Sequence, residues 1–231
     1  MSGVLTPLSS SSTLTGASEP SSPSLKVDPQ SPYDSASPLT PAGTPLTGPT
    51  AHTIEALAAR HSGTVVVFDL AEQAGFGERT ARWANGKSSA KLVHAQTRAG
   101  AGLGLAGRLS EGTSADGARP AGGVITAFTT PEGLAQMVPA LSTLPAPSGT
   151  GRLVIQVAAA SPSSTLELTP TLAPAARALA SLGPDFSVLI SSTAQEAADF
   201  AALSYSTSSH VVHVFDHAGA TRETIKTTFP Q

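Results

Sequence analysis

The chain has 231 residues, a formal net charge of −3 and a charged fraction of 13%, about half the usual share. It has no basic excess to neutralise phosphates, which argues against a nucleic-acid partner. It has no cysteine, which excludes disulfides, thiolate metal sites and cysteine-ligated clusters. No basic segment followed by an apolar core opens the sequence, and no run approaches the ~18 apolar residues a membrane span requires. These features set the expectation of a cytoplasmic protein without a membrane partner.

Residues 1–50 hold 28 Ser, Thr or Pro and only four charged residues. Their leucines follow no helical or strand period. Such a segment buries too little apolar area to offset roughly 1–2 kcal/mol per residue of backbone entropy, so a disordered tail is expected over 1–50. Ser22-Pro23, Ser31-Pro32, Ser37-Pro38, Thr40-Pro41 and Thr44-Pro45 match proline-directed phosphorylation sites, although a tract of this composition generates such pairs by itself.

From residue 51 the pattern becomes that of a folded domain, expected to run to 231. His52–His61 reads as a short helix with Ile54, Leu57 and Ala58 on one face. Thr64–Phe68 is a continuous run of strand residues, as in a strand buried on both faces. Phe76–Asn85 reads as a helix and Lys91–Ala95 as a strand. Ala99–Leu109 reads as a helix of very small residues, and Val124–Phe128 as a third strand. A helix starts near Pro131, where proline suits the first turn, and Leu134, Met137, Val138 and Leu141 form its apolar stripe. Leu153–Val157, Phe186–Ile190 and His210–Phe215 complete six strands. Helices over Thr171–Leu182 and Thr193–Ser206 separate them. Alternation of this kind implies an α/β domain, with a mostly parallel sheet and helices on both faces.

Several motifs invite a chemical reading. Gly102-Leu-Gly-Leu-Ala-Gly107 fits the dinucleotide fingerprint G-x-G-x-x-G, but the acidic residue about 20 positions on is missing. A small-residue helix packed tightly against the sheet or another domain is the better reading. His210, His213 and His217 suggest a metal, yet positions 210 and 213 of a strand point to opposite faces, which favours structural histidines. Asp69 and Asp216 each follow a strand, where a carboxylate either caps a turn or lines a ligand mouth. Glu132 stands at a helix start and is expected to cap it. No G-x-S-x-G elbow supports a hydrolase triad.

Four blocks occur in the order seen in the thiamine-pyrimidine-type domain of 2-oxoacid:ferredoxin oxidoreductases. They are Thr97–Gly102, Val124–Leu141, Val188–Ala198 and His213–Asp216. The chain resembles that family over roughly 54–226. The resemblance implies a thiamine-diphosphate-pyrimidine-type fold, but the sequence departs from the family where its chemistry resides. The glutamate that bonds the thiamine pyrimidine is replaced by Arg98. The arginine that holds the oxoacid carboxylate is replaced by Ala159, and the family's Ile-Thr-Pro-Ser turn corresponds to Leu70–Gln73.

The run Arg98-Ala-Gly-Ala-Gly-Leu103 is similar to the N-terminal, pyruvate:ferredoxin-oxidoreductase-like region of fungal assimilatory sulfite reductase flavoprotein (alpha) subunits. That resemblance implies a non-catalytic N-terminal fragment of an NADPH-dependent sulfite reductase, with a degenerate site at Arg98, Ala159 and Asp216. No catalytic residue, metal or cofactor is expected on this chain. FAD, FMN and NADPH are expected on a C-terminal part of the parent protein. The hemoprotein (beta) subunit and a second copy of the chain are the expected partners. The alternative is a subunit of a thiamine-diphosphate-dependent 2-oxoacid:ferredoxin oxidoreductase.

Overall fold

A computed structural model describes residues 36–84, 90–110, 123–144, 146–147, 151–162, 168–169 and 173–229. In chain order its elements are β1 (Pro45–Pro49), α1 (Thr50–His61), β2 (Ser62–Phe68), α2 (Asp69–Gln73), α3 (Glu78–Ala84), β3 (Lys91–Ala95), α4 (Leu103–Ser110), β4 (Val124–Thr129), α5 (Pro131–Leu141) and β5 (Arg152–Ala159). They continue with β6 (Ser161–Pro162), β7 (Leu168–Thr169), α6 (Ala173–Ala180), β8 (Phe186–Ile190), α7 (Ala194–Ser204), β9 (His210–Asp216), α8 (His217–Arg222) and β10 (Thr224–Thr228).

The centre is a six-stranded sheet in the order β3-β2-β4-β5-β9-β8, parallel throughout. All six strands are those expected from the sequence. The inner strands are rich in β-branched residues and almost wholly buried, as a sheet covered on both faces demands. On one face Ile54, Leu57, Phe76, Ala201 and Phe215 form a core beneath α1, α3 and α7. On the other, Leu105, Leu134, Met137, Leu153 and Ala178 form a second core beneath α4, α5 and α6. Helix α7 starts at a complete capping box: the Thr193 hydroxyl accepts the Glu196 N–H, and the Glu196 carboxylate accepts the Thr193 N–H.

The boundary of the folded region differs from the expected one. Residues 36–50 were expected to lack structure, yet β1 lies within them and pairs antiparallel with β10, Leu46 opposite Thr227 and Gly48 opposite Ile225. The two prolines of β1 stand at its ends, where an edge strand tolerates a missing donor. Leu46, Ile225 and Phe229 are buried by this pairing, which supplies the apolar area that β1 lacks alone. The Arg60 guanidinium stands over the Phe229 ring, 5.0 Å from its centroid, and donates to the Thr40 carbonyl. Of the Ser/Thr-Pro pairs, Ser37-Pro38, Thr40-Pro41 and Thr44-Pro45 fall in this clasp. Ser22-Pro23 and Ser31-Pro32 lie outside the described residues, as does the rest of the expected tail. Helices α2 and α8 also add to the expected elements, and α4 starts at Leu103, four residues after the expected start.

Candidate functional site

In a parallel sheet, ligands enter where neighbouring strands send their connections to opposite faces. Here β2 leads into α2 and α3 on the α1 face, whereas β3, β4 and β5 lead into α4, α5 and α6 on the other. The C-terminal ends of β2 to β5 are therefore the positions where such a sheet would take a ligand. Asp69, Thr129 and Ala159 lie at or next to the ends of β2, β4 and β5, and Arg98 lies three residues beyond β3.

Asp69 begins α2. Its Oδ1 accepts the N–H groups of Leu70 (2.9 Å) and Thr97 (2.8 Å), which ties the end of β2 to the end of β3. Burial opposes its ionisation, but the bonds from Thr97 and Leu70 outweigh that and hold the carboxyl below its ordinary range. Its turn-forming role is thus explicit. Arg98 follows β3 in a turn closed by the Ala101 N–H on the Arg98 carbonyl (2.9 Å), and its side chain is exposed. Thr130 is the N-cap of α5, accepting the Gly133 N–H (3.3 Å), while Glu132 stands in the first turn, as expected for a carboxylate at the positive end of the helix. Thr129 is fully buried and its Oγ1 has no hydrogen-bond partner. A Cβ built on Gly133 would stand 2.1 Å from that oxygen, so with the Thr129 hydroxyl in this position a side chain at 133 would clash with it.

Ala159 ends β5, is 1% exposed, and is the Cα partner of Asp216 at the end of β9. These two candidate positions are therefore adjacent. Arg98 is separated from them by β2 and β4. Asp216 Oδ1 accepts the Ala218 N–H (3.0 Å) and so caps α8. It also lines a small cleft with Ser191, Ser192, Thr193, Gly219 and Glu223. The cavity of about 20 Å³ has room for roughly one water.

Of the glycine motif, only Gly102 makes a close contact: a Cβ there would meet the Met137 carbonyl at 2.9 Å and Ala140 Cβ at 3.0 Å. Tight packing of this segment on α5 is thus found at Gly102. At Gly104 and Gly107 an added Cβ would meet nothing within 4 Å among the described residues. The three histidines have separate partners. His210 Nδ1 accepts the Leu153 N–H (3.0 Å), and His217 Nε2 donates to the Ala74 carbonyl (2.8 Å). His213 sits between Gln156 Oε1 (Nδ1, 2.7 Å) and Ser191 Oγ (Nε2, 3.3 Å). Among the described residues no group of three His, Cys, Asp or Glu is placed to hold a metal ion.

Sequence reasoning missed the buried polar belt to which His213 belongs. Gln156 and His213 bond across β5 and β9, and Thr126 joins Ser62 (2.7 Å) and the Tyr205 hydroxyl (3.1 Å) across β4, β2 and the end of α7. Burial pushes the His213 pKa down to about 3 and the Tyr205 hydroxyl up to about 12, so both are neutral near pH 7. The signal was a glutamine inside the apolar run Leu153-Val-Ile-Gln-Val157 and a histidine inside Val211-Val-His-Val214.

No family model matches the sequence, and no curated protein matches it. Among solved structures it is similar to a 2-oxoglutarate:ferredoxin oxidoreductase from Magnetococcus marinus with 2-oxoglutarate, coenzyme A and succinyl-CoA bound. The TM-score is 0.56 at 15% identity, covering 81% of this chain and 32% of that one. The chain thus spans about a third of that structure's length and shares its α/β fold.

Proposed function

We propose that this is a non-catalytic domain on an oxidoreductase fold, acting as the N-terminal structural and assembly domain of an NADPH-dependent sulfite reductase flavoprotein. The observation that carries the reading is the side-chain set at the strand ends. Thiamine diphosphate, the cofactor that the fold resemblance implies, requires a carboxylate to bond its pyrimidine ring. Arg98 is a pure donor at that place, and its side chain is exposed. Ala159 presents a buried methyl where the family's oxoacid-binding arginine stands. The nearby Asp69 already accepts two backbone N–H groups through Oδ1 and begins a helix. These residues do not fit thiamine diphosphate, and no step of oxoacid chemistry is derived from them.

The run Arg98–Leu103, shared with the sulfite reductase flavoprotein pattern, supports that parent over other non-catalytic relatives. In this reading FAD, FMN and NADPH are held by a C-terminal part of the parent, and the hemoprotein subunit is the partner. The test is isolation of the native polypeptide that contains this sequence, followed by flavin analysis and an assay of NADPH-dependent sulfite reduction with the hemoprotein. Bound FAD and FMN with activity is the expected result; a flavin-free polypeptide that does not support reduction overturns the reading.

The second reading, a subunit of a 2-oxoacid:ferredoxin oxidoreductase, is favoured by the likeness to the 2-oxoglutarate enzyme. It requires a partner chain for the diphosphate and another group in place of Arg98.

A further inference from the structure

The two edges of the central sheet differ. At one edge, β3 carries the exposed Lys91 and has His94 beside Glu72, 3.4 Å away. Exposed charged side chains such as Lys91 are how sheets keep an edge from pairing with another strand. At the other edge, β8 is Phe186-Ser-Val-Leu-Ile190, with no charge and no proline. Val188 is 41% and Ile190 48% exposed, and α7, which packs on β8, carries Leu203 at 45%. Among the described residues no strand pairs with the outer side of β8.

We propose that β8 is a self-association edge: two copies of the chain pair their β8 strands antiparallel and join their sheets into one. An edge backbone calls for a strand, and this strand is complementary to itself. A two-fold axis at Val188 sets Val188 against Val188, Phe186 against Ile190 and Ser187 against Leu189, so no like charges meet. It also holds the two Asp185 carboxylates at opposite ends of the ladder, roughly 20 Å apart at ~3.4 Å per residue. The inference rests on the edge alone and does not require the sulfite reductase assignment.

Sedimentation of the full chain over a concentration series tests it, with V188K and I190K compared by circular dichroism and sedimentation. Because the chain has no cysteine, V188C adds a single thiol. In an antiparallel pair the two Val188 Cα atoms would stand ~4.5–5.5 Å apart, within disulfide reach. L103C, on the exposed face of α4, is the control. The expected results are a concentration-dependent dimer, dissociation constants raised about tenfold or more in the lysine variants, and oxidative cross-linking of V188C but not L103C. A chain monomeric throughout, or a dimer that persists in folded lysine variants, overturns the proposal. Should the lysine variants not fold, V188C decides: a dimer without V188C cross-linking overturns it.

Discussion

Nδ1 of His213 lies 2.7 Å from the side-chain oxygen of Gln156, and the two residues are register partners on β9 and β5. The bond therefore links two central strands inside the apolar core. H213L strands the Gln156 amide, and Q156L strands the His213 N–H. Each is expected to cost about 1–3 kcal/mol in urea unfolding, the penalty for a buried group left unpaired. The double variant should cost less than the sum, with a coupling of about 1 kcal/mol. Additive costs would show that the bond contributes nothing.

The pH dependence of stability is expected to have two opposed components. Glu55 in α1 is buried, and its carboxylate accepts the Thr80 N–H (2.8 Å) and hydroxyl (3.0 Å). Burial pushes its pKa up to about 7 against the bonds from Thr80, Gly77 and Arg79. A raised carboxyl pKa means stability that is present below the unfolded value of 4.5 and is lost as pH rises through about 7, on the order of 3 kcal/mol. His213 has the opposite sign. Its pKa falls from 6.5 to about 3, so stability present above 6.5 is lost as pH falls toward 3, on the order of 5 kcal/mol. Urea unfolding of E55Q from pH 4 to 8 should therefore show stability rising with pH across the range where the native protein is flatter. An unchanged profile in E55Q contradicts the assignment to Glu55.

The clasp between β1 and β10 is expected to be essential to the fold. A chain starting at residue 51 loses β1 and uncovers Ile225 and Phe229. F229A alone should cost about 3–5 kcal/mol, as other buried phenylalanine deletions do. Thermal and urea unfolding of the two proteins against the 231-residue chain measure this.

Gly133 and Thr129 form a coupled pair. G133A sets a methyl 2.1 Å from Thr129 Oγ1 and is expected to destabilise by about 1–3 kcal/mol. T129A removes an oxygen that has no partner, and it should restore most of that loss in the double variant. A double variant no more stable than G133A would locate the strain elsewhere.

The sequence carried the central sheet well because its inner strands are uninterrupted apolar runs, such as Thr64–Phe68 and Leu153–Val157, which have no alternative as solvated structure. It carried the clasp poorly. Pro45-Leu-Thr-Gly-Pro49 has the composition of a breaker and becomes a strand only against Thr224–Thr228, 175 or more residues later in the chain. The site was legible as single positions but not as an arrangement. Asp216 and Ala159 are neighbours because β9 inserts between β5 and β8, a strand order that local periodicity does not encode. The capping role of Thr130 and the His213–Gln156 bond depend in the same way on tertiary placement.

The most direct test of the central claim is calorimetric titration of the native protein that contains this sequence, and of its complex with any partner chain, with thiamine diphosphate and magnesium. With Arg98 and Ala159 in place, no saturable heat is expected. Stoichiometric binding at micromolar affinity would contradict the account and establish the fold's cofactor site as intact.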